Sequence, residues 1–207
     1  MGDTAVGDTA VGDANGSDAN GSDADGSDAA SIRPAAEADV PAILEIINDG
    51  AEAYRGVIAA DRWHEPYMPE DALRGELAAG VRFWVVESGG RIVGAMGLQD
   101  VRDVTLIRHA YVRTDQQRHG HGGALLTHLR SLTERPMLVG TWRAATWAVR
   151  FYRRHGFRLL SRNETEQLLR RYWTVPDRQI EESVVLADAR WPESRERGGP
   201  RQTQPRR

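Results

Sequence analysis

The 207-residue chain contains no cysteine, and inspection of its basic residues finds arginine and histidine but no lysine. The absence of cysteine excludes disulfide bonds, a thiol nucleophile and a cysteine-ligated metal centre. The absence of lysine excludes the phosphate-binding P-loop, whose GxxxxGK[ST] pattern requires that residue. No stretch approaches the roughly 20 consecutive apolar residues of a membrane span, and the N-terminus lacks a signal-peptide pattern. We therefore expect a cytoplasmic protein without a membrane partner.

The formal net charge of -3 is distributed unevenly along the chain. Residues 1–30 hold seven aspartates and no basic residue, whereas residues 190–207 hold six arginines and two glutamates. Because neither end has enough apolar side chains to offset the entropy of ordering, we predict two disordered tails at 1–30 and 190–207. The segment 31–189 is long enough for one domain and is nearly neutral, which argues against nucleic acid as a partner.

Strand-like and helix-like patterns alternate between the tails. The β-rich runs 81–87 and 91–98 are separated by Ser88, Gly89 and Gly90, a signature of an antiparallel hairpin. The pattern as a whole predicts a mixed α/β domain built around a central sheet. Further strands are predicted at 31–34, 104–112, 137–142, 157–160 and 184–186, and helices are predicted to begin near Glu37, at Pro69, after the glycines at 120–123, at Ala144 and, through a capping box with Glu166, at Asn163.

The segment 111–126, YVRTDQQRHGHGGALL, runs from a predicted strand through a polar loop into an apolar helix. Glycines at such a junction let the backbone approach a ligand closely, and the free N–H groups and dipole of the new helix favour phosphate oxygens. A Rossmann fingerprint is excluded because Leu125 stands where that motif needs its third glycine. The loop is therefore predicted to bind a phosphate-bearing ligand of another class.

Gln117, Gly120 and Gly122 fit the pattern [QR]xxGx[GA], which resembles the acetyl-CoA loop of the GNAT superfamily of N-acetyltransferases. A later segment, AVRFYRRHGF at 148–157, resembles the superfamily's helix that ends in a tyrosine and a Gly-Phe pair. The resemblance covers residues 31–188. It implies an α/β (α+β) fold whose mixed, mostly antiparallel sheet is flanked by helices. It also implies acetyl transfer from acetyl-CoA to a primary amine of a small molecule or a protein, by direct attack in a ternary complex without a metal.

The resemblance further implies where acetyl-CoA binds. The pantetheine arm would pair with the main chain of Ala110, Tyr111 and Val112, on a strand that splays from its neighbour. The pyrophosphate would lie over residues 117–123. Tyr152 matches the family tyrosine that can protonate the leaving thiolate. The residues expected to contact the cofactor within the loop are Gln117, Arg118, His119, Gly120, His121, Gly122 and Gly123.

The family comparison leaves two roles open. Many members carry an asparagine three residues before the alanine of the helix at 144–155, which is Ala148 here. This chain has Ala145 at that position, and either Thr141 or Thr146 would have to replace the hydrogen bond of the asparagine. His109 is the leading candidate for the general base, because it lies on the strand beside the acyl site and imidazole titrates near neutrality. The alternatives for the base are His64, Glu52, Glu65 and water.

The acceptor amine is expected to contact the connection at 51–69, AEAYRGVIAADRWHEPYMP, which is rich in aromatic and charged groups. A later segment, 168–173, mixes arginine with aromatic residues and would either bind an acidic group of the acceptor or form a homodimer contact. A protein that binds acyl-CoA without catalysis, as a regulator, is the alternative function. The residues predicted to form the acceptor wall are Tyr54, Arg55, Trp63, His64 and Tyr67.

Overall fold

The computed structural model of the protein describes Thr9, Ala10 and residues 30–192. Outside the described residues lie most of the acidic tail and residues 193–207 of the Arg-rich tail. Thr9 and Ala10 fall within the segment predicted to be disordered, and they form a two-residue strand, β1. The helices are α1 (Val40–Ala51), α2 (Glu70–Ala78), α3 (His121–Ser131), α4 (Thr146–Arg154), α5 (Arg162–Tyr172) and α6 (Asp177–Glu182).

A mostly antiparallel sheet runs through the middle of the molecule, in the strand order β2-β3-β4-β5-β6-β8-β7, with β1 beside β5. The pair β5 and β6 is parallel, whereas the other neighbours along this path are antiparallel. The predicted fold class is thereby confirmed. The strands after β1 (Thr9–Ala10) are β2 (Ser31–Pro34), β3 (Arg82–Ser88), β4 (Arg91–Val101), β5 (Val104–Val112), β6 (Met137–Trp142), β7 (Arg158–Leu159) and β8 (Ser183–Ala187).

Helices cover both faces of the sheet. Val85 packs in one cluster with α1 and α2, and its neighbour Val86 packs in a second cluster with α3 and α4. Successive side chains of a strand point to opposite faces, so α1 and α2 lie on one side of the sheet and α3 lies on the other, while α4 contributes side chains to both clusters. A third cluster forms where α5 packs against β8. Within the described residues, no helix is long and apolar enough to cross a bilayer.

Two sequence predictions about the last third of the chain need correction. The capping box of α5 is formed by Ser161 and Glu164, not by Asn163 and Glu166. The Ser161 hydroxyl accepts a bond from the Glu164 N–H at 3.3 Å, and the Glu164 carboxylate accepts from the Ser161 N–H at 3.0 Å. The short helix α6 was not predicted. It follows Pro176, whose fixed backbone conformation suits the start of a helix.

Candidate active site

The inner edges of β5 and β6 separate partway along their length. Their parallel pairing ends at Ile107 and Val139. Beyond that point β5 continues to Val112 beside β4, and β6 continues to Trp142 beside β8. The facing edges therefore leave a wedge between them, which we call the β5–β6 slot. Strands that diverge in this way leave main-chain N–H and C=O groups available to an extended ligand.

The strand β1 lies along the β5 edge of this slot. Thr9 is opposite Ala110 and Ala10 is opposite Tyr111, in a parallel register. Because β4 occupies the other edge of β5 at Tyr111, β1 must lie on the side that faces β6. The edge predicted to pair with pantetheine thus accepts an extended chain. The side chains of Ala110, Tyr111 and Val112 are buried, so this part of the site offers main-chain groups.

The loop that follows β5 is fastened at several points. The N–H of Thr114 donates to an Asp49 carboxylate oxygen on α1 at 2.6 Å, and the Thr114 hydroxyl donates to the other oxygen at 3.0 Å. The Gln117 side-chain amide donates to the carbonyl of Val112 at 3.3 Å. Gln117 therefore holds the loop to the end of its own strand.

The start of α3 has the geometry of an anion site. Gly120 precedes the helix with a φ of 81°, and a Cβ built on it would meet no atom within 4 Å. Arg118 also has a positive φ, of 69°. The first N–H groups of a helix lack partners inside it, and together with the helix dipole they favour phosphate oxygens. The open space at Gly120 and the N-terminus of α3 fit the pyrophosphate expected there.

The three charged or titratable side chains of this loop differ in their exposure to solvent. Arg118 and His119 are exposed, whereas His121 is buried. Burial lowers the pKa of His121, and the nearby charge of His119, whose ring lies 6.1 Å away, lowers it further. His121 is therefore neutral near pH 7, and Arg118 supplies a permanent positive charge to a phosphate.

Gly123 has a reason to be glycine that the sequence did not reveal. A Cβ at this position would lie 2.8 Å from Nε2 of His155 on α4. The other ring nitrogen of His155, Nδ1, lies 2.9 Å from the carbonyl oxygen of Phe151, so Nδ1 is the protonated donor. Close packing of α3 on α4 thus accounts for Gly123.

Tyr152 lies in the core between α3 and α4, and its ring meets Phe151 and Phe157 edge-on at 5.1 and 5.4 Å. His109 lies on the opposite face of the sheet, where its ring stacks on Phe83 at 6.1 Å. The structure therefore places these two predicted catalytic residues on different sides of the sheet. Both remain predictions.

His109 belongs to a buried charged cluster at a bulge in β5. Two residues of β5, His109 and Ala110, stand opposite one residue of β4, and His109 has a φ of 48°. The Arg108 guanidinium donates to Glu76 of α2 at 2.6 Å, and Nε2 of His109 lies 3.5 Å from the same carboxylate oxygen. The side chains of all three are less than a tenth exposed.

Burial dominates the titration of His109. It lowers the pKa of the imidazole, and the positive charge of Arg108 acts in the same direction, against the opposing effect of Glu76. Burial alone would raise the pKa of Glu76, but the interaction with the His109 side chain and the charge and hydrogen bond of the Arg108 guanidinium outweigh it and lower that pKa. His109 is therefore neutral at pH 7, as a proton acceptor must be.

Four of the five predicted acceptor-wall residues come together. Tyr54 stacks on Tyr67 at 5.9 Å, Trp63 lies 5.5 Å from Tyr67, and the Arg55 guanidinium lies 4.6 Å from the Trp63 ring centre. Trp147 of α4, which sequence reasoning missed, joins them at 5.5 Å from Tyr54. We call these five residues the aromatic wall. His64 is exposed and is absent from these ring contacts.

The carboxylates considered as alternative bases are engaged elsewhere. Glu52 accepts from Arg55 at 2.7 Å, and Glu65 lies 3.3 Å from the same guanidinium. The hydrogen bond from Arg55 lowers the pKa of Glu52. A carboxylate held ionised by a guanidinium is a weak base, so Glu52 does not suit proton abstraction from an amine.

Thr141 and Thr146, the two candidates to replace the missing asparagine, lie in different environments. Thr146 is exposed at the first position of α4. Thr141 is fully buried on β6, beyond the last pair that links β6 to β5, and its hydroxyl has no hydrogen-bond partner. The geometry therefore favours Thr141.

The arginines and aromatics at 168–173 are occupied in holding α5. Arg170 pairs with Asp177 and Glu166, and the Tyr172 hydroxyl donates to Asp103 at 2.7 Å. Trp173 is buried in the cluster of α5 and β8. These contacts give the segment a structural role and leave its predicted acceptor and dimer roles without support among the described residues.

Comparison with known proteins agrees with this arrangement. Residues 79–159 match the family model of the acetyltransferase (GNAT) domain. The chain is similar to the PaiA N-acetyltransferase of Thermoplasma acidophilum in complex with coenzyme A, with a TM-score of 0.59 and 13% identity over 77% of this chain and 98% of that one. The ribosomal-protein-S18-alanine N-acetyltransferase of Escherichia coli gives a TM-score of 0.54 and 18% identity over 77% and 93%.

A GNAT family acetyltransferase of Elizabethkingia anophelis with bound acetyl-CoA gives a TM-score of 0.53 and 18% identity over 77% of this chain and 97% of that one. At these identities the likeness shows a common fold. Among curated proteins, none matches this sequence. The molecule thus has the fold of an acyl-CoA-dependent acetyltransferase. The match of residues 79–159 to the GNAT acetyltransferase model and this common fold confirm the resemblance found in the sequence.

Proposed function

We propose that the protein is an N-acetyltransferase that transfers an acetyl group from acetyl-CoA to a primary amine in a ternary complex. The observation that carries this proposal is the continuity of the β5–β6 slot with the anion site at the start of α3. A single loop, fastened by Thr114 and Gln117, connects the two. An elongated ligand with a main-chain-pairing arm and a pyrophosphate matches that path.

In this proposal each part of the site binds one portion of the substrates. The main chain of Ala110, Tyr111 and Val112 holds the pantetheine arm, and the N–H groups of His121, Gly122 and Gly123 hold the pyrophosphate together with Arg118. Acetyl-CoA supplies the acetyl group as an activated thioester. The aromatic wall orients the amine beside the end of the slot, which raises the effective concentration of the two substrates.

Two residues of the chain would move protons. Neutral His109 accepts the proton that the amine loses on attack. Its side chain is almost completely enclosed, so the proton reaches it either directly from the bound amine or through a water molecule. The Tyr152 hydroxyl donates a proton to the departing thiolate. His109 and Tyr152 lie on opposite faces of the sheet, next to the β5–β6 slot. This arrangement suits His109 to the incoming amine and Tyr152 to the leaving sulfur.

The cofactor assignment is tested by replacing Gly120 and Gly122 with Val. Side chains there would fill the space open at Gly120, so acetyl-CoA binding measured by calorimetry should be lost while circular dichroism shows a folded protein. Leu132→Ala, a change at an exposed side chain, is the matched control and should bind normally. Unchanged affinity in the double variant would refute the assignment.

Catalysis is tested by CoA release with a panel of amines. Tyr152→Phe should lower turnover by roughly 10- to 10⁴-fold with acetyl-CoA affinity little altered. The alternative function, a non-catalytic acyl-CoA-binding regulator, predicts tight acetyl-CoA binding without turnover of any amine. Wild-type turnover of Tyr152→Phe would assign Tyr152 a packing role only.

A further inference from the structure

Three indole N–H groups without a partner gather around the aromatic wall. The Nε1 atoms of Trp63, Trp142 and Trp147 are all shielded from solvent and have no hydrogen-bond partner among the described residues. The three residues belong to one contact cluster, in which Trp142 is 4% exposed. An indole nitrogen can only donate, and leaving such a donor buried and unpaired costs roughly 1–3 kcal/mol. Several in one place indicate a ligand that brings oxygen acceptors.

Two other buried polar groups without a hydrogen-bond partner in the described part of the chain lie elsewhere. Thr141 precedes Trp142 on β6, so its hydroxyl points to the opposite face of the sheet from that indole. Trp173 buries its indole nitrogen in the cluster of α5 and β8. What distinguishes Trp63, Trp142 and Trp147 is that all three indole groups lie in one cluster, on one side of the sheet.

Arg62 supplies a positive charge beside Trp63. Its side chain is half-buried, and its Nε atom is shielded from solvent and has no hydrogen-bond partner in the part of the chain that the structure describes. The neighbouring arginines are engaged: Arg55 binds Glu52, and Arg178 of α6 binds Asp61 at 2.8 Å. Among the described residues, Arg62 has no ion pair. A guanidinium placed in this way suits a carboxylate of the ligand.

The acidic residues of the region argue against an acceptor recognised through positive charge alone. Glu52, Glu65 and Asp61 each lie in an ion pair with an arginine, as does buried Glu76 with Arg108. If the acceptor were recognised through several ammonium groups of its own, the protein would need carboxylates that are not already paired with guanidinium groups. Among the described residues, the groups left over here are the indole N–H donors and the guanidinium of Arg62.

We propose that the acceptor is a primary amine that bears a carboxylate, an amino acid or a molecule ending in one. Arg62 and the indole N–H groups of Trp63, Trp142 and Trp147 bind its carboxylate oxygens, and the aromatic faces contact its apolar body. This inference rests on the proposed function, because it names the substrate class of the same site.

The test compares amines that differ only in the carboxylate: tyrosine with tyramine, tryptophan with tryptamine, and alanine with ethylamine. We expect the amino acid of the best pair to have a kcat/KM at least tenfold higher than its partner. Arg62→Gln should reduce that preference to within about threefold. Equal or faster reaction of the carboxylate-free amines in the wild type, or an unchanged preference in Arg62→Gln, overturns the proposal.

The indole contribution is tested by exchanging Trp142 for Phe, which removes the N–H and keeps an aromatic ring. The KM for the carboxylate-bearing amine should rise about five- to thirtyfold, while the affinity for acetyl-CoA stays within threefold. Trp173→Phe, which removes an equally buried indole nitrogen from the other cluster, should leave this KM unchanged. Equal effects of the two substitutions would overturn the indole assignment.

Measurements of amine binding distinguish a failure of the carboxylate site from a failure of the proposed acetyltransferase activity. Calorimetry of each amine against the CoA-bound protein measures the carboxylate preference without turnover. If no amine is acetylated but the amino acids bind at least tenfold more tightly than their partners, the proposed function fails and the carboxylate site stands. If acetylation occurs without that preference, the proposed function stands and the carboxylate site fails.

Discussion

At the residue scale, the interior cluster of Glu76, Arg108 and His109 ties a helix to the strand that borders the slot. Arg108 also donates to the Gln99 side chain at 2.6 Å, so its guanidinium is held from two directions. Removing one member of a buried ion pair leaves the other charge uncompensated. The same bonds set the position of the bulge that carries His109.

Glu76→Gln should therefore destabilise the protein by about 3 kcal/mol or more, since the buried guanidinium of Arg108 loses its counter-charge. Glu70→Gln is the matched control, because Glu70 pairs with Arg74 on the surface of the same helix and both side chains are about half exposed. Its effect should stay within about 1 kcal/mol. Urea unfolding of the two variants gives the comparison, and similar losses would contradict the role assigned to Glu76.

His109 also makes stability depend on pH. Its pKa in the folded protein lies below the ordinary value of 6.5 because the ring is buried. As the pH falls through 6.5 the unfolded chain takes up a proton that the folded chain refuses, so stability decreases by up to about 1.4 kcal/mol per pH unit. His121, shifted in the same direction, adds to this slope.

Glu76 acts in a lower pH range. Its pKa is lowered from 4.5, so the stability it provides is present above that pH and is lost as the pH falls further. Between pH 6.5 and 5 the slope therefore reports mainly on the histidines. His109→Gln should flatten the slope in urea unfolding at pH 5, 6 and 7, whatever its effect at pH 7. An unchanged slope would mean that the pKa of His109 is the same in the folded and the unfolded protein.

At the element scale, α5 shows how a local signal can be assigned to the wrong residue. Ser161 and Asn163 are both good capping residues, and both are followed three positions later by a glutamate. The helix begins at Arg162, so Ser161 is the cap and Asn163 lies inside the first turn. The side chain of Asn163 instead accepts a bond from Gln167 at 3.2 Å.

Ser161→Ala should cost roughly 1 kcal/mol, because the N–H of Glu164 loses its acceptor. Asn163→Ala, two positions away on the same helix, should change stability by less than half as much. Thermal or urea unfolding measures both. A larger loss in Asn163→Ala would restore the original assignment of the cap.

Elements with strong local chemistry were predictable from the sequence. The hairpin of β3 and β4 follows from Gly89 and Gly90, and the start of α3 follows from the glycines that precede it. Features set by contacts distant in sequence were not predictable. Three such features depend on how separate elements pack: the bulge at His109, the close contact of His155 with Gly123, and the contact of Trp147 with the aromatic residues of the 51–69 connection.

At the scale of the whole molecule, the N-terminal segment and the proposed acetyl-CoA site share one strand edge. The main-chain groups of Ala110 and Tyr111 that face β6 pair with Thr9 and Ala10. They are also the groups that the pantetheine arm would use. Two ligands cannot bind the same edge at once, so β1 and acetyl-CoA should compete.

Deleting residues 2–29 should therefore strengthen acetyl-CoA binding, by no more than about fivefold, because two strand residues contribute only about 1 kcal/mol after the cost of ordering them. Ala10→Pro should act in the same direction, since proline cannot donate a main-chain hydrogen bond. Ala19→Pro, a substitution in the same acidic segment outside β1, is the matched control and should bind like the wild type. Calorimetric titration with acetyl-CoA measures all three. Weaker binding after the deletion would mean that the segment supports the cofactor site. Equal effects of the two proline variants would mean that β1 does not compete with acetyl-CoA.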